Sequence, residues 1–134
     1  TVCLVMTHGV IASALIGASK KIVGESEQLF TLTSVKTGLM QLEENITGFL
    51  EKNEQADGIF LLVCARGGSY WNAAVRASHG KANVKVISGV NLPMILSYIT
   101  KKNNLNFEEL AEALHEDAQK GIVMFGKKEV YNGA

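Results

Sequence analysis

His8 is the residue whose type and place point most directly to chemistry. It follows the apolar run Val2 to Met6 and is itself followed by a glycine, in Thr7-His8-Gly9. A histidine at the end of a buried strand stands where a sheet opens to ligands, and near neutral pH its imidazole is an uncharged nucleophile. A second stretch of the same kind is Cys64-Ala65-Arg66-Gly67-Gly68-Ser69, where another apolar run turns into a helix. With these two strands as sheet neighbours, His8 faces the glycine-serine turn. The helices starting after Gly9 and after Gly68 then aim free N–H groups at one spot, which suits an anion and above all a phosphate. The N–H groups stabilise phosphoryl oxygens, the Ser69 hydroxyl adds a donor, and the glycines admit the backbone closely. The chemistry this permits is holding a phosphoryl group on a ring nitrogen of His8.

The neighbouring residues carry alternatives. Cys64 reads either as a packed strand-end residue or as a thiol made reactive by His8 and the helix ends. Arg66 is a phosphate contact or an exposed loop charge, and Ser69 can cap its helix while touching a ligand. His79 and His115 fall at a helix end and on a helix surface with no partner pattern, so they read as solvated residues. Cys3, inside a strand, reads as core.

Strands and helices alternate along the chain to place these groups. Val2 to Met6 is a short continuous apolar run, the pattern of a strand buried on both faces. Ile11, Leu15, Ala18, Ile22 and Val23 recur at helical spacing, with Gly24 as a stop. Gln28 to Val35 reads as a strand nearer the sheet edge, and Leu42, Ile46, Phe49 and Leu50 form the stripe of a second helix. Gly58 to Cys64 is the most hydrophobic strand and belongs mid-sheet, with a helix over Tyr70 to Ser78 after it. Val84 to Ser88 is a fourth strand. Asn91 and Pro93 shape the turn into the next helix at the rim of the cleft, with proline in the first turn. Asn106 with Glu109 marks a capping box opening a last helix, and Ile122 to Tyr131 alternates as a short final strand or an arm on a neighbouring subunit. Trp71, Tyr70 and Tyr98 are core or interface residues.

The sum is a single three-layer α/β/α domain over residues 1–134, with a core over 1–121 and a C-terminal arm over 122–134. The expected central sheet is mainly parallel and, with the first and third strands as neighbours as in many short sheets of this class, in the order 2-1-3-4, the tail adding an antiparallel strand or a swapped arm. Thirteen basic residues balance thirteen acidic ones, so no field of one sign drives binding to nucleic acid or an anionic membrane. The apolar runs are far shorter than the roughly 20 residues of a membrane span, and the chain begins in a strand without a signal-like leader. The expectation is a reduced, cytoplasmic protein. No metal-ligand cluster, nucleotide loop or dinucleotide fingerprint is seen, so no metal and no cofactor is expected.

Thr7-His8-Gly9, the run Gly67 to Ala74 and Ile87-Ser88-Gly89-Val90-Asn91-Leu92-Pro93-Met94, in this order, resemble the IIA component of the mannose/fructose-type phosphoenolpyruvate-dependent sugar phosphotransferase system. The resemblance runs to about Gly121. It implies a homodimeric carrier that accepts a phosphoryl group on His8 from the histidine-containing phosphocarrier protein and passes it to a IIB component. It would meet the membrane permease only through those partners. It implies Ser69 as a phosphate contact and a C-terminal arm packed on the partner subunit; Thr7, Gly9, Cys64, Arg66, Gly67 and Gly68, read from their places around His8 and the glycine turn, are the further candidates to bind phosphate or support the site. The family usually has an aspartate where this chain has Cys64, accepting a hydrogen bond from the active histidine, and a proline where it has Tyr70. The Cys64 departure motivates an alternative: a regulatory or sensory binding domain of the same fold, with weak or no transfer. A hydrolase or thiol enzyme built on Cys64 and His8 is a third reading, and it lacks an evident oxyanion partner.

Overall fold

The computed structural model describes residues 1–32 and 38–126. Four strands, β1 (Val2–Met6), β2 (Leu29–Leu32), β3 (Ile59–Val63) and β4 (Val84–Ile87), form one sheet in the order β2-β1-β3-β4. Every neighbouring pair is parallel. The helices are α1 (Ile11–Val23), α2 (Leu39–Lys52), α3 (Ser69–Ser78), α4 (Leu92–Lys101) and α5 (Phe107–Lys120). All residues of β1 and β3 are buried, as the continuous apolar runs require of interior strands, whereas β2 and β4 at the edges are partly exposed.

Because successive strand side chains point to opposite faces, β1 and β3 each serve two cores. Val2, Leu4 and Met6 join Ile59, Leu61 and Val63 against Leu42, Ile46 and Leu50 of α2 and Tyr70, Ala73 and Ala74 of α3. Cys3, Val5, Phe60 and Leu62 face the other way, onto Ala12 of α1, Met94, Ile95 and Tyr98 of α4 and Leu110, Leu114 and Ala118 of α5. The three expected layers follow. Burial pushes the Cys3 thiol far above its ordinary range, which fits a cysteine used as a small hydrophobe.

The local helix signals are in place. Gly24 ends α1 at a φ of 87°, and Asn91 caps α4 by accepting from the Met94 N–H at 3.0 Å, with Pro93 in the first turn. Asn106 and Glu109 close a reciprocal capping box on α5. Two expectations change. β2 begins only at Leu29, because Gln28 takes a positive φ of 62° to turn its carbonyl toward Cys3 N and the Tyr98 hydroxyl; the expected continuation through Val35 passes outside the described residues. The buried side of α1 is centred on Ala12 and Ser19, flanked by half-buried Leu15, Ile16 and Ala18, while Ile11, Ile22 and Val23 are exposed. Small residues let this helix sit close to its neighbours, and Ser19 stays satisfied by donating to the Ile16 carbonyl at 2.7 Å. Residues 122–126 run on from α5 outside any helix or strand, and the rest of the expected final strand or arm lies outside the described residues.

α4 and α5 are tied by Asp117, whose carboxylate accepts from Lys101 Nζ and from Ser97 Oγ, both at 2.6 Å. The Lys101 bond, then the Ser97 bond, hold its carboxyl below the usual carboxylate range. A lowered folded-state pKa contributes stability that is present above the unfolded value near pH 4 and lost as pH falls below it. Asp117→Asn is therefore expected to cost about 1 kcal/mol at neutral pH. In urea unfolding, the gap to the native protein should close on acidification below about pH 4.

Candidate functional site

β1 and β3 end together, since Met6 pairs with Val63. Thr7 and His8 therefore leave the sheet at the same edge as the loop Cys64 to Gly68, which follows Val63. Thr7 is fully buried, and its Oγ1 accepts the Ala12 N–H of the first turn of α1 at 2.7 Å. That bond caps α1 from five residues upstream, a job the N-cap Val10 cannot do. Gly9 supplies the turn between them at a φ of +58°. Backbone on both sides of His8 is thus fixed, while its imidazole stays exposed.

Across the edge, Gly67 adopts a φ of +83°, and the Gly68 N–H donates to the Ala65 carbonyl at 3.4 Å to close the turn. Gly68 is the N-cap of α3 and brings no side-chain oxygen, so the positive end of that helix is open toward the loop. Ser69 and Arg66 are exposed, and Cys64 is half-buried just beyond β3. A Cβ at Gly67 would meet no atom within 4 Å, so the strained dihedral alone opposes a side chain there. Gly67→Ala is expected to cost about 1 kcal/mol by urea denaturation.

The direct contact between the two halves is one that sequence reasoning missed. The rings of His8 and Tyr70 lie 4.9 Å apart at an interplanar angle of 79°, edge to face. Tyr70, only 4% exposed, is the second residue of α3 and packs on Ala73, Ala74 and the β1/β3 core. The signal was its place immediately after Ser69, together with the adjacency of β1 and β3.

Asn91 shapes the turn from β4 into α4. Besides capping α4 it donates from Nδ2 to the Ala118 carbonyl at 3.0 Å, and the Val90 N–H joins its loop to the Val63 carbonyl. Asn91 lines a groove of about 620 Å³ along the outer edge of β4, with Trp71, Ser88, His115 and Ile122. Pro93 packs beside Gly121 at the end of α5. His79 and His115 are exposed, as expected of solvated residues. Among the described residues no group of three or more metal-ligating side chains occurs, and no helix is long and apolar enough to cross a membrane.

Residues 2–115 match the family model described as the PTS system fructose IIA component, PTS being the sugar phosphotransferase system. The chain belongs to this IIA family. It is 30% identical over its whole length to the mannose-specific EIIAB component of Escherichia coli K12, of which it spans 42%. It is 26% identical, over 89% of its length and 82% of the relative, to the fructose-specific EIIA component of Bacillus subtilis. In fold it is similar to the mannose/sorbose specific IIA subunit of Enterococcus faecalis, with a TM-score of 0.78, 23% identity and coverage of 97% and 98%. It is likewise similar to the phosphotransferase system component EIIA of Streptococcus agalactiae, with a TM-score of 0.81, 17% identity and coverage of 92% and 95%. A IIA-family protein is a phosphotransferase-type component of sugar transport, and the parallel sheet and its order are those of the family's structures.

Proposed function

We propose that this chain is a phosphocarrier that accepts a phosphoryl group on His8 from the histidine-containing phosphocarrier protein and delivers it to a IIB component. The observation that carries this reading is the exposed His8 at the shared end of β1 and β3, opposite the Gly67-Gly68-Ser69 turn and the open end of α3. Transfer exchanges one P–N bond for another. A ring nitrogen of His8 attacks the donor's phosphorus with its lone pair, the donor imidazole leaves with the electron pair of its broken bond, and the other His8 nitrogen keeps its proton. In this reading backbone N–H groups of α3, the Ser69 hydroxyl and Arg66 bind the phosphoryl oxygens.

The protein works as a cytoplasmic homodimer in this reading. Val10, Ile11, Ile22 and Val23 on and beside α1, and Ile122, Val123, Met124 and Phe125 after α5, are apolar and exposed, as surfaces awaiting a partner subunit are. Membrane contact comes only through the permease partners.

Incubation with phosphoenolpyruvate, the first kinase of the system and the phosphocarrier protein should add one acid-labile phosphoryl group, read by intact mass. A native protein that stays unmodified at stoichiometric donor overturns the reading. Cys64 at the end of β3 favours a second one, a regulatory domain of the same fold with slow transfer. Modification that is much slower than donor supply allows, or absent, is its expected outcome in the same assay.

A further inference from the structure

We propose that Tyr70 is a positioning residue for His8, its ring orienting the imidazole in a site where Cys64 takes the usual place of a carboxylate. The proposal rests on the phosphocarrier reading above and assigns the group that readies His8 for transfer.

The backbone of His8 is already held on both sides. Thr7 is buried and bonded to Ala12, and Gly9 is locked into a left-handed turn. What remains free is rotation about the two side-chain bonds of an exposed imidazole, and a surface ring with no partner samples several staggered wells. Among the described residues the His8 ring takes part in no hydrogen bond or ion pair, and the Tyr70 ring is the aromatic group that meets it. Contact at 4.9 Å and 79° is the edge-to-face geometry in which such rings attract, so it favours one imidazole orientation over the rest.

Tyr70 suits the task because its side chain is packed into the core. It is buried against Ala73, Ala74 and the strands, with Ser69 directly before it in the first turn of α3. The ring that orients His8 is thereby rigidly linked to the helix end and glycine turn that would receive the phosphoryl oxygens. Nucleophile and anion site are set relative to each other by one residue. Holding reacting groups in register lowers the barrier without any change in charge. A tyrosine ring brings no negative charge, so it replaces only the orienting half of what a carboxylate does. Being buried, it also leaves donor docking untouched.

The test uses Tyr70→Leu, which keeps apolar bulk in the core, and Tyr70→Phe, which keeps the ring. In single-turnover phosphorylation by the phosphocarrier donor, Tyr70→Leu should slow the transfer step about tenfold. The donor concentration giving half-maximal rate should stay within about twofold, and Tyr70→Phe should recover at least a third of the native rate. Carbon-13 relaxation of the His8 ring provides a readout independent of phosphorylation: the ring should be ordered in the native protein and in Tyr70→Phe, and mobile in Tyr70→Leu. An equally mobile ring in the native protein and Tyr70→Leu, or an unchanged transfer rate in Tyr70→Leu, overturns the proposal. Failure of the native protein to accept phosphate sinks the phosphocarrier reading instead, while the relaxation comparison still decides whether Tyr70 orients His8.

Discussion

His8→Ala is expected to reduce phosphoryl acceptance by a factor of about a thousand or more, to the background of the assay. The size of the effect follows from the kind of residue removed. A group that forms the covalent bond has no substitute in the site: Ser69 and Arg66 can bind phosphoryl oxygens but offer no comparable nucleophile at neutral pH. The other histidines are poorly placed to take over. His79 follows α3 at the far end from the Gly67-Gly68 turn, and His115 lies on α5 beside the groove along β4. His79→Ala and His115→Ala should therefore be phosphorylated at the native rate. Intact mass before and after acid treatment checks all three variants, and persistence of the label in His8→Ala would place the chemistry elsewhere.

Cys64→Asp is expected to act in the opposite direction, raising the single-turnover rate about tenfold. Val63 pairs with Met6, so residue 64 leaves the sheet at the height of Thr7 and His8. A carboxylate there can accept the ring N–H of His8, hold one tautomer, and stabilise the positive charge that develops on the imidazole as its other nitrogen attacks phosphorus. A neutral thiol is a weak acceptor and does neither well. Cys64 is half-buried rather than sealed in the core, so water can still reach a carboxylate in its place and folding should survive. The measurement is quench-flow transfer from the phosphorylated donor, with a denaturation curve as control. A rate within twofold of native would mean that charge at this position does not limit transfer and that something other than residue 64 orients His8.

Much of the scaffold was legible because its signals are short-range. The continuous apolar runs of β1 and β3 announce strands covered on both faces, and the alternation of strands with helices leads to a parallel sheet. Asn106 with Glu109, Asn91 with Pro93, and Gly24 are caps and stops whose geometry is settled within a few residues. His8 and the Gly67-Gly68-Ser69 turn stood out for the same reason, as chemistry-bearing types at strand ends. Less was legible where two faces of one helix compete. α1 offers Ile11, Ile22 and Val23 as an apolar stripe, yet Ala12 and Ser19 go inward because the Thr7 hydroxyl pins the first turn and close helix packing favours small side chains. The groove along β4 likewise gathers Trp71, Asn91, and His115 with Ile122 from three separate segments that share no local pattern.

By itself, then, the amino-acid order determined the element sequence, the core strands, the helix caps and the histidine at the head of the chain, all of which depend on periodicity and on bonds within a turn. Only the tertiary structure decided what stands beside that histidine. The pairing of Met6 with Val63 brings together stretches far apart along the chain, and the packing of α3 on that shared edge sets Tyr70 edge-on to His8. Contacts of this kind arise from register and crossover geometry summed over the whole sheet, which no local stretch of residues encodes.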